Sequence, residues 1–199
     1  LNVMKPPASV KLGNFEVEFI RVNHSIPDAT GLAIHTPVGI VCHTGDFKLD
    51  QTPVNGGKAD LNKFAELGSK GVLVLMSDST NAEREGYTMS EKVVGQTIEE
   101  IFATLENRII VATFASNIHR IQQIFDAAYK HGRKVAVVGR SMVNVVNIAL
   151  ELGYLSVSKD IHMELDEVNK LPKEKVVIIS TGSQGEPMSA LTRMAMSEH

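Results

Sequence analysis

Tryptophan is absent from the 199 residues, and cysteine occurs once, at Cys42. A lone cysteine excludes an internal disulfide and fits a reducing cytoplasm. Lying inside an apolar run, it reads as a small buried hydrophobe rather than a nucleophile. With 7 Phe and 3 Tyr as the whole aromatic complement, the core must be built from Val, Ile, Leu, Ala and Met. No apolar run approaches the roughly 20 residues of a membrane helix, and no signal-peptide pattern opens the chain. Charge of one sign is not in excess either. The net value of −3 argues by itself against a nonspecific nucleic-acid binder. No Gly-Lys-Thr or Gly-Lys-Ser follows any glycine-rich loop, so the Walker A mode of phosphate binding is excluded.

What is present is a globular composition, 43% apolar, in a chain long enough for one or two cored domains. Charge is unevenly spread. Residues 101–150 carry six Lys/Arg (Arg108, Arg120, Lys130, Arg133, Lys134, Arg140) against Glu106 and Asp126. Such a basic middle is a candidate electrostatic footprint for phosphates, and helix-surface charge accounts for the same count. The chain starts at Leu1 rather than Met and finishes in a helical pattern without a stop signal, so it reads as a fragment of a longer protein.

Residues 1–87 read as strand-rich structure with one helix. A strand is expected over 15–22, and a hairpin over 31–43 turned at residues 37–39. A short helix follows Asp60, with a glycine stop at Gly68. At Thr88 the rhythm changes. Thr88-Met89-Ser90-Glu91 fits a capping box ahead of a helical stripe at 93, 94, 98, 101, 102 and 105. Strands (109–113, 134–138, 175–180) then alternate with helices (117–130, 142–152, and one from Pro187). Near-continuous Val/Ile strands alternating with helices predict a parallel α/β sheet covered on both faces. A domain boundary is placed near residue 88, giving domains 1–87 and 88–199.

Three apolar runs end in polar residues suited to metal or acid–base chemistry: His24, Asp46 and Asp78. A carboxylate at a strand end is held by the sheet yet reachable by solvent. An imidazole and carboxylates brought together are a ligand set for zinc or manganese. Taken singly, each also reads as an ordinary turn or cap residue. A second group lies on the expected strand-to-helix loops: Ser116, Asn117 and His119; Arg140 and Ser141; and Gly182, Ser183, Gln184 and Gly185. In a parallel sheet these loops share one edge, where helix N-termini present N–H groups to anions. Ser116 and Ser141 serve equally as plain N-caps.

NHSIPDA (23–29), HTGDFK (43–48) and SDSTN (77–81) resemble, in that order, motifs of metallo-β-lactamase-fold nucleases that carry an inserted β-CASP domain. FASNIHR (114–120), GRSM (139–142) and TGSQGEPMSAL (181–191) narrow the resemblance to the ribonuclease J family. The resemblance implies the later part of a metallo-β-lactamase αββα fold (1–87) followed by part of a parallel-sheet β-CASP domain (88–199). It implies His24 as a metal ligand, Asp46 as a bridging ligand and catalytic residue, and Asp78 as a catalytic acid that orients a histidine. Two divalent ions follow, zinc first, with manganese or magnesium as alternatives. The implied activity is 5′-to-3′ exonucleolytic and endonucleolytic hydrolysis of RNA. The loop residues above would hold RNA, with 5′-monophosphorylated ends preferred. Homo-oligomers, or hetero-oligomers with a paralogue, and a cytoplasmic, non-membrane location complete the picture. The family's main metal motif, His-x-His-x-Asp-His, is missing: the histidines stand at 24, 35, 43, 119, 131, 162 and 199. Two ligands do not hold a metal pair tightly, so this chain alone is expected to bind metal weakly and to be inactive. A non-catalytic RNA-binding partner subunit and a small-molecule hydrolase of the same superfamily are the competing readings.

Overall fold

The computed structural model describes residues 2–54 and 56–196, so the outer ends of the two expected domains, Leu1 and His199, lie outside it. The chain divides into two compact units, Leu1–Lys92 and Val93–His199.

The first unit is a five-stranded sheet in the order β1 (Ala8–Leu12), β2 (Phe15–Arg21), β3 (Thr30–Thr36), β4 (Gly39–His43) and β5 (Val74–Met76). Strands β1 to β4 pair antiparallel, and β5 pairs parallel to β4. Directions therefore repeat: β2, β4 and β5 all run the same way, and their C-terminal ends reach one edge of the sheet. Helix α1 (Leu61–Lys70) is capped by Asp60, whose Oδ1 accepts the Lys63 amide at 3.0 Å. It packs Leu67 and Phe64 against Ile20, Ala33, Cys42 and Ile40. The helix runs through Gly68 and stops at Gly71 instead, whose amide donates to the Gly68 carbonyl at 3.2 Å. Cys42 is buried and free.

The second unit is a four-stranded, all-parallel sheet in the order β6 (Ile109–Ala112), β9 (Val176–Ser180), β7 (Lys134–Val138), β8 (His162–Met163). The expected parallel α/β arrangement is thus found. Helices α2 (Glu91–Thr104), α3 (Ile118–Lys130) and α4 (Arg140–Glu151) bury Phe102, Ile121, Ile124, Phe125, Met142 and Val146 against Val135, Val137, Val177 and Ile179. Alternate residues of the same strands (Ala136, Val138, Val176, Ile178) face a second layer. There they meet Val168 of a 3-10 helix (Leu165–Lys170) and Ala190 of α5 (Ala190–Ala195). Strand β8, this 3-10 helix and a second one (Lys173–Lys175) carried no signal strong enough to be expected.

Three helix starts differ from expectation. Helix α2 begins at Glu91, not after Thr88: the buried Asp50 accepts the Glu91 amide at 3.1 Å, and Ser90 Oγ accepts the Lys92 amide at 3.2 Å. Helix α4 begins at Arg140, so Arg140 and Ser141 are first-turn residues rather than loop residues. Helix α5 starts at Ala190 under a Ser189 cap, three residues beyond Pro187.

Candidate metal edge and nucleic-acid loops

Because β2, β4 and β5 share a direction, the segments that leave them are brought together. His24 Nε2 lies 3.8 Å from Asp46 Oδ2, and both side chains are open to solvent. Two motif residues that were given no role of their own hold this geometry. Asn23 forms a bridge with Lys48 through its carbonyl (Lys48 amide, 2.8 Å), while its side chain binds the Gly57 carbonyl and the Ala59 amide. Thr44, buried, donates its amide to the Met76 carbonyl at 3.0 Å, and its hydroxyl accepts the Asp78 amide at 3.0 Å. The loops carrying His24, Asp46 and Asp78 are therefore cross-tied by backbone. Between them, Gly45 sits at φ +62°, where a Cβ would lie 2.8 Å from the Thr30 carbonyl oxygen. Only glycine fits so close a crossing without strain.

Asp78 accepts the Thr80 amide at 3.0 Å and the Thr80 hydroxyl at 2.7 Å. These bonds, helped by the Phe47 amide and the His24 ring, hold its carboxyl below the usual carboxylate range. Part of its role is therefore that of a turn-forming aspartate. His43 turns its Nδ1 to the Gly45 amide at 3.0 Å. Elsewhere His35 meets Glu18 at 3.2 Å, His131 meets Glu99 at 2.7 Å, and His162 lies edge-on to Phe125.

The donors at this edge fit a divalent ion in part. A ring nitrogen and a carboxylate oxygen close to each other are suitable first ligands, but a zinc shell takes three or four protein groups. Among the described residues no set of three His, Cys, Asp or Glu side chains converges. No helix among them is long and apolar enough to cross a membrane.

In the second unit, the parallel strands place the segments at 113–117, 139–141 and 181–189 on the C-terminal edge of the sheet. Asn117 is buried and its side-chain oxygen caps α3 through the Arg120 amide at 3.1 Å. That oxygen is thereby engaged in the fold. Ser116, Arg140, Ser141, Ser183, Gln184 and Gly185 are exposed; His119 is half-buried and Gly182 buried. Gly182, at φ +117°, has no room for a Cβ: it would fall 2.5 Å from Ser189 Oγ. Two adjoining cavities open here. One, of about 350 Å³, is lined by Thr113, Phe114, Ser141, Gly182, Glu186 and Met188 among others. The other, of about 370 Å³, is lined by Gly139, Arg140, Ser141, Thr181 and Arg193 with Met188 and Ala190. Glu186, Met188 and Arg193 line these cavities but are not among the residues expected from the sequence.

The basic count over residues 101–150 does not form one footprint. Arg133 is buried, its guanidinium donating to the carbonyls of Leu105 and Asn107. Lys130 pairs with Glu99 at 2.6 Å, and Lys134 donates to the Asp160 carbonyl. Arg108 donates to Asn169. These four lie at the N-terminal edge of the sheet, opposite the loops, where they tie helix ends to strand starts.

Residues 106–199 match the family model described as ribonuclease J, β-CASP domain. A ribonuclease J from Synechocystis sp. is 50% identical over 200 residues, covering 100% of this chain and 31% of the relative. One from Thermus thermophilus is 49% identical, covering 100% of this chain and 35% of the relative. Ribonuclease J2 of Bacillus subtilis is 47% identical over 184 residues, covering 92% of this chain and 33% of the relative. The chain thus spans about a third of the length of these curated relatives. A crystal structure of a protein of unknown function from Enterococcus faecalis shares the fold, with a TM-score of 0.66 at 18% identity, over 92% of this chain and 45% of that one. With ribonucleases J about half identical over the whole of this chain, the chain belongs to the ribonuclease J family, and residues 106–199 match its β-CASP domain.

Proposed function

We propose that this chain supplies half of a metal centre and an RNA-holding face to a nuclease that hydrolyses RNA phosphodiester bonds. The observation that carries this reading is the approach of His24 to Asp46 at 3.8 Å, on the edge that also carries Asp78. The first unit is read as metallo-β-lactamase-type structure, the second as β-CASP. His24 would be one ligand and Asp46, with two oxygens, the bridge between two ions, zinc by preference. Bound there, two divalent ions would activate water and stabilise charge on a phosphorus centre. The remaining ligands come from outside the described residues. Asp78, whose carboxyl the Thr80 hydrogen bonds hold below the usual range, would orient a proton donor.

Ser116, His119, Arg140, Ser141 and residues 182–185 are read as the surface that holds RNA, with preference for a 5′-monophosphate. The setting is read as the cytoplasm, which a single buried, free thiol fits, with assembly of the protein with itself or with a paralogue.

The test uses the polypeptide that carries this chain, assayed for RNA cleavage and metal content. Asp46→Asn is expected to lower cleavage at least a hundredfold and to weaken metal uptake, leaving RNA binding within about twofold of wild type. The 199 residues alone are expected to take up zinc only weakly. Unchanged cleavage in Asp46→Asn, or one tightly held zinc in the 199-residue chain, would overturn the assignment.

A further inference from the structure

The two adjoining cavities at the C-terminal edge of the parallel sheet differ in chemistry. Arg140 and Arg193 line one of them. The other carries Glu186, whose carboxylate is steadied by the Gln184 amide at 3.2 Å. A phosphate is drawn to the first and repelled from the second. The second instead offers an aromatic face: Phe114 is 49% exposed and Met188, beside it in the lining, 84% exposed.

Phe114 is also held firmly. Its neighbour Thr113 is buried and extends the β6–β9 ladder through the Ser180 carbonyl at 3.0 Å. The Phe114 carbonyl accepts the amide of Asn117, the α3 cap, at 3.1 Å. An exposed ring on a fixed backbone, lining a cavity that adjoins a cationic one, is an arrangement that receives a base while its phosphate is held nearby.

We infer that Phe114 is the stacking platform for the nucleobase of the nucleotide whose phosphate lies against Arg140 and Arg193, with Met188 closing on the base from the loop side. Glu186 then faces the sugar hydroxyls or base N–H groups, which donate to a carboxylate where a phosphate would not be tolerated. This inference rests on the reading of the loops as an RNA phosphate site. It adds a base-recognition role for the first residue of FASNIHR, which is not among the expected RNA-binding residues.

The experiment compares two 5′-monophosphorylated oligoribonucleotides on the intact chain, one complete and one abasic at its first nucleotide. Phe114→Ala is expected to weaken the complete oligonucleotide about tenfold and leave the abasic one unchanged, while Phe114→Trp restores binding. With 2-aminopurine at the first position, quenching on binding is expected in wild type and Phe114→Trp and lost in Phe114→Ala. Equal binding of complete and abasic oligonucleotides by the wild type overturns the platform while leaving the phosphate reading intact. Indifference of either oligonucleotide to Arg140→Ala overturns the phosphate reading, and the platform with it.

Discussion

Asp50 shows how much of this molecule depends on residues outside any motif. It is 5% exposed and accepts the Thr52 amide at 2.9 Å and the Glu91 amide at 3.1 Å, with Lys48 Nζ at 3.6 Å. Burial pushes its carboxyl upward, but the Thr52 amide, the Ser90 hydroxyl, the Glu91 amide and Lys48 together outweigh burial and hold it below the ordinary value. Asp50→Ala removes the α2 cap and leaves Lys48 with only Glu91. A loss of about 1–3 kcal/mol in unfolding free energy is expected from denaturant titration. The sign of the pH dependence follows from the lowered value. The stabilisation is complete above the unfolded carboxyl's value of about 3.9 and fades as pH falls through the lower folded one. The gap between wild type and Asp50→Ala should therefore narrow on acidification from pH 5 to pH 3. A gap that holds constant would mean that Asp50 acts by packing alone.

At the level of elements, what was legible in the sequence and what was not divide on a physical line. Strands β4, β7 and β9 announced themselves by apolar runs broken at polar residues, and the meeting of His24 with Asp46 followed from strand ends. That information is local. The starts of α2, α4 and α5 differ from expectation for different reasons: Asp50 reaches α2 from 41 residues upstream, α4 starts on Gly139 with no side-chain cap, and α5 takes Ser189 as its cap rather than starting at Pro187. Asn23 and Thr44, which tie the loops of the metal edge together, look like ordinary strand-end residues until their partners are known. Strand β5 carries a prediction of its own. It lies at the edge of its sheet, and Leu75 is 63% exposed, with Leu73, Val74 and Met76 exposed alongside. An apolar edge of this kind pairs with other chains. The 199-residue chain is expected to self-associate in light scattering at micromolar concentration, and Leu75→Lys to shift it toward monomer. No response to that substitution would place the sticky surface elsewhere.

For the molecule as a whole, the placement of charge decides how it meets a polyanion. Arg133 spends its guanidinium on two backbone carbonyls beneath the sheet, and Lys130 and Lys134 are engaged at the same end. What faces the loop cavities is Arg140 and Arg193. If only these two meet phosphates, the slope of log affinity against log salt for single-stranded RNA should be about −1.4; engagement of all six cations of residues 101–150 would give about −4.2. A binding isotherm repeated over a few salt concentrations separates the two values. A guanidinium locked onto carbonyls is lost to long-range attraction. The strand is then gripped by fit and contact rather than drawn in from afar, and such a grip persists in brine that would strip a polycation from its template.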